Sequence, residues 1–292
     1  MKLTVYSKSM RVMTAAVLLF ACLGTLILRR SDADLVAEYG IVLDSWPTNN
    51  SRAVQLETEL RSRSQTVLPL VFNDLAGKRS ALSQTKDFIR GKLQSKATDE
   101  LAQRAAKASL IVKALGTNAS SQCPAMLRLL QESEDYWGFI GAAILYTGID
   151  GVCGLTNLAT RADTRGRMRA IVALSNAESQ LCDTVDRDTL DRWKIIYINT
   201  ALFRVLQLSD AESRYQAVFA LEKINRRHPE FMITTLAAHC GVETNLSVLK
   251  LAVDVVCKLG GEANTLLRHC VEARLNDQNP DIREFVGKYL ER

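Results

Sequence analysis

The sequence predicts an all-α chain, a solenoid of stacked helical hairpins carried behind an N-terminal apolar anchor helix. Three observations predict it. The 292 residues are 47% hydrophobic but only 6% aromatic, with 15 Gly and 5 Pro. That balance suits stacked helices of Ala, Leu, Val and Ile better than a β-sandwich, which leans on aromatics and frequent turns. Short segments of one pattern recur at a spacing near 35 residues, the period of arrays in which each unit buries its apolar stripe only against its neighbours. Finally, one stretch near the N-terminus runs 17 residues without a charge.

That stretch is Val12 to Leu28 (VMTAAVLLFACLGTLIL), with Lys8 and Arg11 before it and Arg29 and Arg30 after it. It is at the short limit for a bilayer span and longer than the apolar core of most cleaved signal peptides. The expectation is a single-pass, uncleaved membrane anchor over residues 1–30, with the domain outside the cytoplasm on the charge preceding the span. The rival readings are a lipoprotein, from Leu19-Phe20-Ala21-Cys22, and a secreted chain cut near Gly24. Residues 31–95 follow as an N-terminal helical hairpin and basic linker, with a first helix containing Trp46 and a second at Gln65–Val71. Residues 96–292 are the repeats.

Charge separates these regions. The net charge is +5, from 37 basic and 32 acidic residues. Five of the basic residues lie in 1–30, which holds no acid, so the remaining chain carries 32 of each sign. Phosphate contacts dominate nucleic-acid affinity, and a neutral repeat region is a poor match for them. No nucleic-acid partner is expected. Two local basic features remain: residues 52–113, with 12 basic and 6 acidic side chains, and Arg161, Arg165, Arg167 and Arg169. The first could lie against anionic headgroups near an anchor; its plainer reading is a solvated linker and helix face.

The repeat is clearest when segments are aligned on their small residues. Arg167-Met168-Arg169-Ala170-Ile171-Val172-Ala173-Leu174 matches Arg214-Tyr215-Gln216-Ala217-Val218-Phe219-Ala220-Leu221. The stretch from Ile282 through Arg283 and Gly287 to Leu290 fits the same template, with Gly287 close to the small position. Looser copies end at Leu110, Leu145 and Val256, giving successive intervals of 35, 29, 47, 35 and 34 residues. The helix Trp193–Leu206 reads as an extra element inside the interval of 47. Each template leads through a turn into a second helix: Leu115-Gly116 into Cys123-Pro124, and Leu259-Gly260-Gly261 into Thr265-Leu266. Gly supplies a left-handed cap, and Pro is tolerated in a first turn. Asp210 and Asn279-Pro280 mark helix starts.

The Arg-x-x-Ala-x-x-Ala-Leu copies, Asn279-Pro280-Asp281-Ile282-Arg283 and the Gly turns resemble HEAT repeats of the armadillo-like class, over roughly residues 95–292. Anchor, hairpin, basic linker and repeats together resemble membrane-anchored bacterial HEAT-repeat proteins. The resemblance implies an α-α superhelix and binding of other macromolecules, without implying a particular chemistry. It also implies that Arg167, Arg214 and Arg283, with Ala170, Ala217 and Gly287, are structural residues of the repeat.

Candidate chemistry is sparse. Cys123, Cys153 and Cys182 fall early in successive second helices. Equivalent positions on stacked helices lie roughly 8–10 Å apart, beyond the ~7 Å Cα separation that a disulfide allows, so they read as small buried apolar side chains. His239-Cys240 and His269-Cys270 form near-copies 30 residues apart and are the only candidate metal set. Adjacent helical residues point about 100° apart, however, so one dipeptide rarely supplies two ligands to one ion. Repeat equivalence explains the pair without a metal, and no metal or cofactor is expected. Gly148-Ile149-Asp150-Gly151-Val152-Cys153-Gly154 imitates a phosphate loop but follows a helix and not a strand. No His-Glu dipeptide, nucleophile elbow or Walker motif occurs. The expected function is that of a membrane-tethered, non-catalytic scaffold binding a protein partner, against two alternatives: a metal- or cofactor-dependent enzyme on the same scaffold, or a nucleic-acid-binding one.

Overall fold

The structure is a computed structural model that describes residues 31–44, 50–76, 94–177, 190–208, 210–226 and 228–291. Among these residues the chain is all-helical, with no strand. Val12–Leu28, Trp46, the basic stretch 77–93 and Cys182 lie outside them. No helix of the described residues is long and apolar enough to cross a membrane. The chain divides into two compact units, Met1–Val67 and Leu68–Arg292.

In the first unit α1 (Asp32–Asp44) packs against α2 (Asn50–Ser62). Leu35, Tyr39 and Val42 on α1, with Ala53, Leu56 and Leu60 on α2, are buried at helical spacing. The Tyr39 hydroxyl donates to Glu57 Oε1 at 2.9 Å, and Arg52 Nη2 reaches Glu38 Oε1 at 2.5 Å, so two polar contacts join the helices of the hairpin. The boundary between the units falls inside α3 (Ser64–Leu75), which contains the segment Gln65–Val71.

The second unit continues as α4 (Gln94–Leu115), α5 (Cys123–Glu132), α6 (Trp137–Tyr146), α7 (Ile149–Arg161), α8 (Thr164–Ser175), α9 (Leu190–Val205), α10 (Ala211–Ile224), α11 (Ile233–Cys240), α12 (Leu246–Cys257), α13 (Gly261–Glu272) and α14 (Pro280–Leu290). The helices containing the sequence templates pack on one another in order: α4 on α6, α6 on α8, α8 on α10, α10 on α12. The intervening helices form a second row, α5 on α7, α7 on α9, and α11 on α13. Hairpin contacts join the rows, and Ala170, Ile171, Leu174, Ala217, Leu221, Leu249 and Val256 are buried between them. The reading of Trp193–Leu206 as an extra element is corrected here. Its helix, α9, holds a second-row position between α7 and α10. Its Asn199 side chain exchanges two buried hydrogen bonds with Asn225 at the end of α10, at 2.7 and 2.9 Å. Helical periodicity identifies the element; its place in the array depends on its neighbours.

Turn chemistry explains where the helices begin and end. Gly116 (φ +56°) and Gly260 (φ +67°) take the left-handed conformation that side chains disfavour. Asp163, Asp210, Asn245 and Asn279 each accept a hydrogen bond from a backbone N–H of the following first turn, so all four are side-chain N-caps. Asn245 takes two, from Ser247 N at 3.0 Å and Val248 N at 3.2 Å. Asn245→Ala is expected to lower stability by about 1 kcal/mol, measured by urea denaturation. No change would mean that water replaces the cap without loss.

Candidate functional site

The three template arginines share one local arrangement. Arg167 Nη2 donates to Ala162 O at 2.8 Å, Arg214 Nη1 to Leu208 O at 2.7 Å, and Arg283 Nη1 to Gln278 O at 3.1 Å. Each guanidinium turns back from the second turn of its helix onto a carbonyl of the segment preceding the N-cap. Two also reach forward. Arg167 Nη1 is 3.7 Å from Asp210, the N-cap of α10. Arg214 forms a two-pronged pair with Glu243, Nε to Oε2 and Nη2 to Oε1, both at 2.8 Å. Ala170 and Ala217 are fully buried, whereas a methyl group on Gly287 would meet nothing within 4 Å.

Two further buried arginines close the ends of second-row helices. Arg169 Nη1 bonds Leu130 O and Gln131 O at 2.7 and 2.9 Å, at the end of α5. Arg274 bonds Cys240 O and Glu243 O at 3.0 and 2.7 Å and Asp277 at 2.6 Å, at the end of α11. A guanidinium there satisfies carbonyls that have no helical partner and opposes the negative end of the helix dipole. The Arg161–Arg169 cluster is therefore divided: Arg167 and Arg169 hold the array together, while Arg161 and Arg165 are exposed.

Glu243 is the center of this network. Its side chain is 1% exposed and faces Arg214 and His239, and its Oε1 also accepts from Asn245 N at 2.7 Å. His239 Nε2 lies 2.8 Å from Oε2. Burial alone would push the Glu243 carboxyl up. The His239 ring, the Arg214 fork and the Asn245 N–H outweigh it, holding the carboxyl far below its usual range.

The two His-Cys dipeptides are not brought together as a ligand set. His239 and Cys240 are buried on α11, His269 is exposed on α13, and Cys270 is half-buried. Among the described residues no group of three or more His, Cys, Asp or Glu side chains is positioned to hold a metal ion. Cys123, Cys153, Cys240, Cys257 and Cys270 are free thiols. The Cys240 thiol is pushed up to about 12, first by burial and then by the neighbouring Cys270; such a thiol is a poor nucleophile.

The glycines of 148–154 serve packing. Gly148 has φ +85° at the start of α7. A Cβ on Gly151 would stand 1.8 Å from Ile144 O, and one on Gly154 would stand 2.4 Å from Leu127 Cδ1. These residues let α7 lie against α6 and α5.

What the sequence reading missed is the outward side of the first row. With register counted from the four side-chain N-caps, the fifth and ninth residues are Met168 and Val172, Tyr215 and Phe219, Lys250 and Asp254, and Glu284 and Lys288. Tyr215 is 37% exposed and Phe219 40%. Both lie within the quoted template, so the signal was present once register, rather than the small residues alone, was compared.

No protein-family model matches the chain, and no curated protein is significantly similar to it in sequence.

Proposed function

We propose that the protein is a membrane-tethered, non-catalytic scaffold: a HEAT-like superhelix, held to a bilayer through residues 12–28, that binds a protein partner. The observation that carries this reading is the Tyr215/Phe219 pair. At the same two positions α12 and α14 present charged side chains, as expected of a solvated face. Two aromatic rings one turn apart are each more than a third exposed there, and exposed aromatics with a polar surround mark interaction surfaces.

Proximity labelling from the full-length anchored protein tests the reading, with an anchor-only copy lacking the repeats as control. A small set of repeat-dependent neighbours is expected, all in one compartment. Neighbours that are the same with and without the repeats would remove the scaffold function. Turnover of a substrate by the purified protein at an ordinary enzymatic rate would replace it with an enzyme.

A further inference from the structure

We propose that Cys240 and Cys270 form a disulfide when the protein meets a small-molecule disulfide oxidant, stapling α11 to α13. The staple does not depend on the scaffold reading. Three contacts bring the surroundings of the two cysteines together. The helices α11 and α13 pack on one another. A Cβ on Gly241, the residue after Cys240, would stand 3.0 Å from Cys270 O and 3.7 Å from Cys270 C, so the end of α11 runs against the backbone of Cys270 with no room for a side chain. Arg274, one turn beyond Cys270, donates from Nη1 to Cys240 O at 3.0 Å. The two thiols also lie close enough for a charge on one to act on the other.

The other described thiols are placed differently. Cys123 and Cys153 share the 30-residue spacing of Cys240 and Cys270. At their crossing, however, Gly154 meets the end of the Leu127 side chain and not a backbone, and the Cys123 thiol is in hydrogen-bond contact with Thr147. Cys257 ends α12, and its thiol is in hydrogen-bond contact with the Tyr289 hydroxyl. The next helix, α13, starts at Gly261, and Cys270 lies nine residues further on, about 14 Å along the axis. Cys257 and Cys270 are therefore at opposite ends of the α12–α13 hairpin.

Access sets the order of events. Cys270 is half-buried and Cys240 is sealed, so the Cys270 thiolate attacks the oxidant first. A mixed disulfide forms, and one small thiolate leaves and takes up the proton that Cys270 released. The Cys240 thiolate then attacks the Cys270 sulfur and expels the second small thiol in the same way. Two protein thiols become one disulfide, and the oxidant, reduced by two electrons, leaves as two thiols. Burial keeps the Cys240 thiol protonated at neutral pH, so the second step quickens as pH rises. Closure restricts the unfolded chain and so stabilises the folded one. Disulfides persist outside the cytoplasm, the compartment expected of the repeats from the charge before residues 12–28.

The test is incubation of the full chain, in phosphatidylcholine nanodiscs, with oxidised glutathione at mildly alkaline pH, followed by alkylation of free thiols and tryptic mass mapping. Trypsin places Cys240, Cys257 and Cys270 on separate peptides, 228–250, 251–258 and 269–274. A disulfide-linked pair of 228–250 with 269–274 is expected, with Cys257 alkylated and no glutathione retained. The urea midpoint should rise on closure and return to its starting value with reductant. Cys240→Ser should instead hold one glutathione on 269–274, and Cys270→Ser should neither close nor hold glutathione at Cys240. A link through Cys257, a glutathione adduct that persists on wild-type Cys270, or full alkylation of both cysteines would overturn the staple. Closure without a higher midpoint would overturn it as a stabilising device. The wild-type map decides without either variant, so a variant that fails to fold leaves the test intact. Each outcome leaves the scaffold reading to the proximity-labelling result.

Discussion

Arg214→Met is expected to destabilise the protein by about 3–5 kcal/mol, the usual cost of removing one partner from a buried ion pair. Glu243, with its side chain 1% exposed, would keep its charge without the two 2.8 Å bonds from the guanidinium, and Leu208 O would lose its donor as well. The cost comes from the carboxylate left behind more than from the pair itself. Arg214→Met/Glu243→Met should therefore recover a large part of the loss, since buried pairs are often replaceable by apolar residues of similar volume. Chemical denaturation of the single and double variants measures this. A double variant no more stable than Arg214→Met would show that the pair acts through geometry that apolar packing cannot supply.

The same carboxylate predicts a pH dependence. The folded state holds the Glu243 carboxyl well below the ordinary glutamate range, so the unfolded chain takes up this proton first as pH falls. The stabilisation is fully present above the unfolded value and is lost progressively as pH drops below it toward the depressed folded value. Wild type should lose more stability than Glu243→Gln between about pH 5 and pH 2. Parallel loss in the two proteins would mean that other carboxylates govern acid unfolding.

Gly151→Ala is the second large effect, expected at about 3 kcal/mol, the upper part of the range for overpacking. The added Cβ would lie 1.8 Å from Ile144 O and 2.6 Å from Thr147 Oγ1. Because the nearest obstacle is a backbone carbonyl, no rotamer change relieves it, and α6 and α7 must separate. Gly154→Ala is a graded comparison: its obstacle is the end of the Leu127 side chain at 2.4 Å, which can swing aside. Gly138→Ala meets nothing within 4 Å and should stabilise α6 by about 0.5 kcal/mol through backbone entropy alone. The order of melting temperatures should be Gly138→Ala highest, then wild type, Gly154→Ala and Gly151→Ala. Gly151→Ala melting with wild type would mean that the α6–α7 crossing is looser than described.

What could be read from the sequence was what local chemistry determines. Helices follow from apolar spacing. Asp210 and Asn279 act as caps because a short polar side chain before an apolar run satisfies N–H groups that would otherwise have no partner. Gly116 directly follows the end of α4 and Gly260 directly precedes α13, because only glycine takes positive φ at low cost. Ala170 and Ala217, at matching positions of the two Arg-x-x-Ala-x-x-Ala-Leu segments, are both fully buried.

Tertiary structure decided what depends on distance in space. Glu243 is unremarkable in the sequence, and only the stacking of α10 on α12 makes it the partner of Arg214, 29 residues away. Gly148-x-x-Gly151-x-x-Gly154 follows the spacing of a ligand loop, yet helix crossings account for its glycines. His239 and His269 occupy similar sequence contexts, but one is enclosed beside Glu243 and the other faces solvent. Periodicity specifies which residues share a face of one helix; what that face meets is settled by the neighbouring helices, and so the sequence alone determined the helices, while packing determined the ion pairs, the close crossings and the exposed aromatic pair.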